Sequence, residues 1–71
     1  MALTQLECRK LDVLKRRFGG GQLCADEALL MALEAEQTCK DIGPLDPAFL
    51  HFKTQQQDLE HMALLIEKEN A

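Results

Sequence analysis

Small and apolar residues recur at intervals of three and four from residue 25 to residue 66. This is the spacing of residues that share one face of an α-helix. Two such runs, whose members we call the seam positions, lie on either side of segment 43–47. They consist of Ala25, Ala28, Ala32, Ala35, Cys39 and Ile42, and of Phe49, Phe52, Gln56, Leu59, Ala63 and Ile66. Each run predicts a helix with one face directed towards a partner.

The segment 43–47 that separates the two runs contains one glycine and two prolines, residues that end helices and favour turns. A chain reversal there places Ile42 opposite Phe49, and the remaining seam positions then pair in step along both helices. Small residues of the first helix face mainly large residues of the second, as packing requires. The pattern therefore predicts an all-α fold built on an antiparallel helical hairpin, with helices at about 25–42 and about 47–68.

A short helix over about residues 4–18 is predicted ahead of the hairpin. Thr4 and Glu7 have the spacing of a capping box, in which each side chain accepts a hydrogen bond from the other's backbone amide. The three glycines at 19–21 end this helix and predict a hinge. Four apolar residues fall within an arc of about 80 degrees on the helical wheel: Leu3, Leu11, Leu14 and Phe18. The chain is expected to form one helical domain over 1–71.

The predicted hairpin carries more apolar residues than its seam requires, and they collect at the end far from the turn. Left exposed, they would form an apolar patch larger than most monomers present to water. One alternative is that the first helix folds back and covers them; the other is that a second chain does so, either an identical copy or a different helical protein. The predicted partner-binding residues are Leu29, Leu30, Met31, Leu33, Met62, Leu64 and Leu65.

The formal net charge of the 71-residue chain is −4, but it is unevenly distributed. Residues 1–18 hold five basic and two acidic residues, whereas residues 19–71 hold three basic and ten acidic ones. Opposite charges favour docking of the two segments on each other or separate partners for each. The basic side chains of the first helix point in several directions, so nucleic acid is not an expected partner.

The sequence offers little for catalysis or metal binding. It has no serine, tyrosine or tryptophan, and its acidic residues fall on predicted solvated faces. The two histidines, His51 and His61, are ten residues apart on one predicted helix, a separation of about 15 Å along its axis. Cys39 falls in the seam, where cysteine commonly fills space as a small apolar residue. We expect no enzymatic activity, no cofactor and no bound metal.

The three cysteines, an odd number without a Cys-x-x-Cys motif, favour a reducing compartment over a disulfide framework. The N-terminus lacks the pattern of a signal peptide, and the longest unbroken apolar run is six residues long. We therefore expect no membrane association. A chain this short usually gains stability from a disulfide, a metal or a partner, and partner binding is the remaining option.

Three segments, Thr4–Glu7, Leu29–Glu34 and Pro47–Ile66, resemble the small subunit of type III secretion needle chaperones, the YscE type. The resemblance implies a co-chaperone in the bacterial cytoplasm, with a role in virulence. It implies a tetratricopeptide-like helical partner that, with this chain, keeps the needle subunit from polymerising. Contact with the needle subunit would be made chiefly by that partner. A self-associating helical module, a dimer or a tetramer, is the alternative.

Overall fold

The computed structural model describes residues 3–19 and 23–70, and these residues form three α-helices. Helix α1 covers Gln5–Phe18, α2 covers Ala25–Ile42 and α3 covers Phe49–Asn70. Neither described segment contains a strand. The predicted all-α class is therefore confirmed.

Helix α1 begins at the predicted capping box. The backbone amide of Glu7 donates to Thr4 Oγ1 at 3.2 Å, and the amide of Thr4 donates to Glu7 Oε1 at 3.0 Å. The helix ends at Gly19, whose amide donates to the carbonyl oxygen of Lys15 at 3.1 Å and whose φ of 143° is a value that residues with a side chain rarely adopt. The other two positions of the predicted glycine hinge, 20 and 21, lie outside the described residues.

Helix α3 begins two residues later than the prediction. The amide of Ala48 donates to Asp46 Oδ1 at 2.8 Å, and the amide of Phe49 donates to the carbonyl oxygen of Asp46 at 3.0 Å. The first of these bonds is the one that an N-cap side chain makes, and Pro47 follows the cap, where a missing amide hydrogen costs nothing. The regular helix runs from Phe49 to Asn70, two residues later at each end than the predicted range of about 47–68.

All the seam positions are buried or half-buried, and α3 is the helix that packs against both α1 and α2. The core cluster contains alanines of α2 together with larger side chains of α3, such as Leu59 and Ile66. The contacts between α2 and α3 are compatible with the predicted pairing: for example, the Cys39 thiol lies 3.8 Å from the carbonyl oxygen of Phe49. The small side chains of α2 allow α3 to approach closely.

Helix α1 packs on α3 through apolar side chains and ion pairs. Its buried residues Leu11 and Leu14 belong to the same core cluster as residues of α2 and α3. Lys68 near the end of α3 donates to Glu7 near the start of α1 at 2.9 Å, and Arg17 donates to Asp58 at 3.0 Å. The basic first segment thus docks on the acidic remainder of the chain, one of the two outcomes that the charge distribution favoured.

Candidate protein-binding surface

Four of the seven predicted partner-binding residues are exposed on the surface formed by α2 and α3. The exposed fraction is 41% for Leu29, 60% for Leu30, 59% for Leu33 and 65% for Leu64. Single exposed leucines are ordinary on a protein surface, but leucines from two packed helices that line one depression form a contiguous apolar patch. Leu29, Leu33 and Leu64 line such a depression, and we call these three residues the leucine surface.

A shallow groove runs through the leucine surface between α2 and α3. We call it the leucine groove, and its lining consists of Leu29, Ala32, Leu33, Glu36, Glu60 and Leu64. Ala32 is buried and carries only a methyl group, so the larger side chains rise around it. Leu30 is exposed but does not line the groove, and on a helical wheel it points away from the buried alanines of α2. The depression has the size and apolar character that suit side chains of a second helix.

The leucine groove is apolar along its length and carries negative charge on both helices. Glu36 on α2 lies 3.3 Å from Lys40, one turn further along the same helix. Glu60 on α3 accepts a hydrogen bond of 2.9 Å from Gln56 Nε2. No basic residue lines the groove itself. A binding partner with a basic group near its apolar side chains would therefore be favoured.

Two predicted partner-binding residues, Met62 and Leu65, lie in the core instead of on the surface. Met62 is completely buried, and both residues belong to the core cluster that contains Leu11 and Leu14 of α1. Both residues are buried within this chain, in a core to which α1 contributes, so neither is available on the predicted surface.

Met31 faces a different depression from the leucine groove. It is half-buried and packs against the core cluster. It lines a cleft together with Phe18 of α1 and with Phe52 and Leu59 of α3. Met31 therefore shares no surface with Leu29 and Leu33, and we remove it from the predicted surface as well.

The sequence analysis missed a second exposed apolar feature, on α1. Leu6 and Val13 are both exposed, and Lys10 and Arg17 fall on the same side of the helix. We call these four residues the α1 outer stripe. Their spacing of four, three and four residues is a helical pattern that was available in the sequence. The prediction for this helix rested only on the apolar arc of Leu11, Leu14 and Phe18, so the stripe on another side was not predicted.

The remaining reactive side chains are dispersed over the described residues. Within residues 3–19 and 23–70, no three His, Cys, Asp or Glu side chains converge where they could bind a metal ion. Cys39 is buried, whereas Cys8 and Cys24 are exposed, and all three are free thiols.

None of the three helices in this part of the chain combines the length and the apolar character needed to cross a lipid bilayer. In comparisons with known proteins, no protein-family model, no curated protein and no solved structure matches this chain.

Proposed function

We propose that this protein is a non-enzymatic adaptor that binds a helical protein partner through its leucine surface. The single observation that carries the proposal is the alignment of Leu29, Leu33 and Leu64, from two different helices, around one open groove. Burying a leucine side chain is worth about 1.5–3 kcal/mol. Covering these residues would therefore contribute a substantial part of the free energy of binding.

The groove requires a fixed relation between α2 and α3, which the predicted antiparallel hairpin would supply. In that arrangement the first turns of α2 lie opposite the last turns of α3, so Leu29 approaches Leu64. The buried alanines of the α2 seam support this register, because they let the two helices approach closely without displacing the leucines into the core. We infer that the hairpin acts as a rigid platform for the leucine surface.

The resemblance to the small subunit of needle chaperones suggests one specific role. In this proposal the chain is a cytoplasmic bacterial co-chaperone, and its partner is a tetratricopeptide-like protein that contacts the needle subunit of a type III secretion system. The groove supports the proposal physically, since repeat proteins of this kind present helices to their ligands. The alternative function is a self-associating structural module that uses the same groove.

The proposed function is tested by replacing Leu33 and Leu64 together with Asp in an affinity-tagged chain expressed in its native cell. Both side chains are exposed, so circular dichroism should show an unchanged helix content. The wild-type chain should co-purify with a helical partner and the needle subunit, and the double variant should lose both. Charged groups on the leucine surface would otherwise have to be buried without a counter-ion.

The matched control is Leu50→Asp, which introduces the same charge at an exposed leucine of α3 outside the leucine surface. This control should retain the partner. Undiminished partner binding by the double variant would exclude the leucine surface as the binding site. Recovery of a partner unrelated to secretion would reject the co-chaperone role but leave the adaptor function standing.

A further inference from the structure

We propose that the leucine groove of one copy of this protein binds the α1 outer stripe of a second copy, in a head-to-tail arrangement. The inference rests on the proposed role of the groove as a protein-binding surface and adds a specific occupant. It predicts that the chain regulates access to its own groove, because a second copy would compete with any other partner.

The apolar parts of the two surfaces match in character and length. Leu6 is 76% exposed and Val13 is 61% exposed, so neither has a packing partner within its own copy that covers it. They are seven residues apart, which is about 10 Å along a helix. The groove lining on α2 extends from Leu29 to Glu36, also seven residues. Two aliphatic side chains of the stripe can therefore occupy the groove at the same time.

The charges of the two surfaces are complementary. Lys10 lies between Leu6 and Val13 on the stripe and has no acidic partner within 4 Å among the described residues. The groove carries Glu36 and Glu60, each within one helical turn of a groove leucine. A helix seated in the groove thus brings its lysine towards two carboxylates while its aliphatic residues contact leucines. The net charges of segments 1–18 and 19–71, positive and negative respectively, favour the same orientation.

Contact between two identical grooves is the competing arrangement, and charge disfavours it. The lining contains two glutamates and no basic residue. Two grooves facing each other would bring four carboxylates together, with only the Lys40 side chain beside Glu36 of each copy to offset them among the described residues. The α1 outer stripe instead supplies a basic group that can approach the glutamates and aliphatic side chains that can contact the groove leucines.

A contact between two different surfaces leaves one groove and one stripe free at the ends of a dimer. Such contacts extend to further copies or close into a ring. Two variants can therefore distinguish a head-to-tail contact from a symmetric one. Val13→Asp should prevent binding by the stripe and leave the groove intact. Leu64→Asp should prevent binding by the groove and leave the stripe intact. Both positions are exposed, so both variants should keep the wild-type helix content by circular dichroism.

Sedimentation equilibrium of the purified, reduced proteins at high micromolar concentration provides the measurement. Wild-type protein should associate, and each variant alone should be a monomer. An equimolar mixture of the two variants should form a dimer and nothing larger, because one intact groove meets one intact stripe. Raising the salt concentration should weaken this dimer, since the lysine and the carboxylates are then screened. Leu50→Asp should associate like the wild type.

Three results would overturn the proposal: a monomeric wild type, continued association of Val13→Asp alone, or an equimolar mixture that remains monomeric. The second result would indicate groove-to-groove contact. None of them bears on the adaptor function, because the purified samples contain no other protein. Conversely, Val13→Asp should still co-purify with the proposed helical partner, whose binding surface lies on α2 and α3.

Discussion

Leu64 and Leu65 are adjacent in the sequence but have opposite environments. Leu64 is 65% exposed at the edge of the leucine groove, whereas Leu65 is 3% exposed in the core. Successive residues of a helix are about 100 degrees apart around its axis, so two neighbours can face water and core respectively. Leu65 therefore contributes to the stability of the fold, whereas Leu64 is proposed to contact a partner.

Leu65→Ala should lower the free energy of unfolding by about 2–5 kcal/mol, because it removes buried methyl groups and leaves a cavity. Leu64→Ala should change it by no more than about 0.5 kcal/mol, as is usual for an exposed position. Urea denaturation of the two variants, monitored by circular dichroism, measures both values under conditions where the chain is monomeric. Equal destabilisation by the two substitutions would contradict the placement of these side chains.

Gln56 is a polar seam residue with incomplete hydrogen bonding. Its Nε2 donates to Glu60, but its buried Oε1 has no hydrogen-bond partner among the described residues. A buried acceptor without a partner costs about 1–3 kcal/mol. Gln56→Leu should therefore raise the free energy of unfolding by at least about 1 kcal/mol in a urea titration. Gln57→Leu, at the exposed neighbouring position, should leave it nearly unchanged, and a destabilised Gln56→Leu variant would show that the amide is needed in the seam.

At the scale of a single element, the start of α1 depends on the charge of Glu7. Its hydrogen bond from the Thr4 backbone amide is the main cause, and that from Lys68 the next, of a pKa lowered from the ordinary value of 4.5 to about 2. A carboxyl group with a lowered pKa stabilises the folded protein fully above its unfolded pKa of about 4.5. The contribution is lost as the pH falls from there towards 2.

Glu7→Gln should therefore melt at a lower temperature than the wild type at pH 7, with the difference closing between about pH 4.5 and pH 2. Both proteins carry the same other carboxyl groups, so their general acid sensitivity cancels in the comparison. Thermal melting at a series of pH values is the measurement. A difference in melting temperature that stays constant over this range would show that the charge of Glu7 is not responsible.

The bounds of the helices could largely be predicted from the sequence. Which helix buries which apolar side chain of another helix could not. The predicted range of 25–42 for α2 is confirmed, as is the capping box of α1. Both follow from local hydrogen bonding and from spacing along one helix. The start of α3 was predicted to within two residues, and the side chain of Asp46 caps it through the Ala48 amide.

The seven residues predicted to bind a partner divide between surface and core. Periodicity identified Met62 and Leu65 as apolar residues outside the two-helix seam, but it could not decide which element covers them. That decision depends on how α1 docks on α3, a contact between residues about 50 positions apart in the sequence. Met31 lies about 200 degrees from Leu29 around the helix axis, so the helical wheel could have separated the two depressions. Leu29, Leu30, Leu33 and Leu64 are exposed, and their role in binding stays a prediction.

At the scale of the whole molecule, the core is shared by three helices but is small. Chains of this length rarely gain more than about 3–5 kcal/mol of stability from a single core. The contribution of α1 is therefore important, and two kinds of interaction could supply it. One is burial of Leu11 and Leu14, and the other is the set of ion pairs that links α1 to α3.

Burial should dominate the docking of α1. Leu14 is almost completely buried, and truncating such a leucine costs about 2–5 kcal/mol. The ion pairs lie at partly exposed positions, where screening and side-chain entropy leave little net stabilisation. Adding 1 M sodium chloride should consequently lower the free energy of unfolding far less than Leu14→Ala does.

Urea denaturation of the wild type at low and high sodium chloride, alongside Leu14→Ala at low salt, makes this comparison directly. Val13→Ala, at the exposed position next to Leu14, is the matched control and should be close to the wild type. A loss of stability in high salt as large as that of Leu14→Ala would mean that α1 is held mainly by charge. The docking of α1 would then vary with ionic strength, and so would the burial of Met62 and Leu65, which share its core cluster.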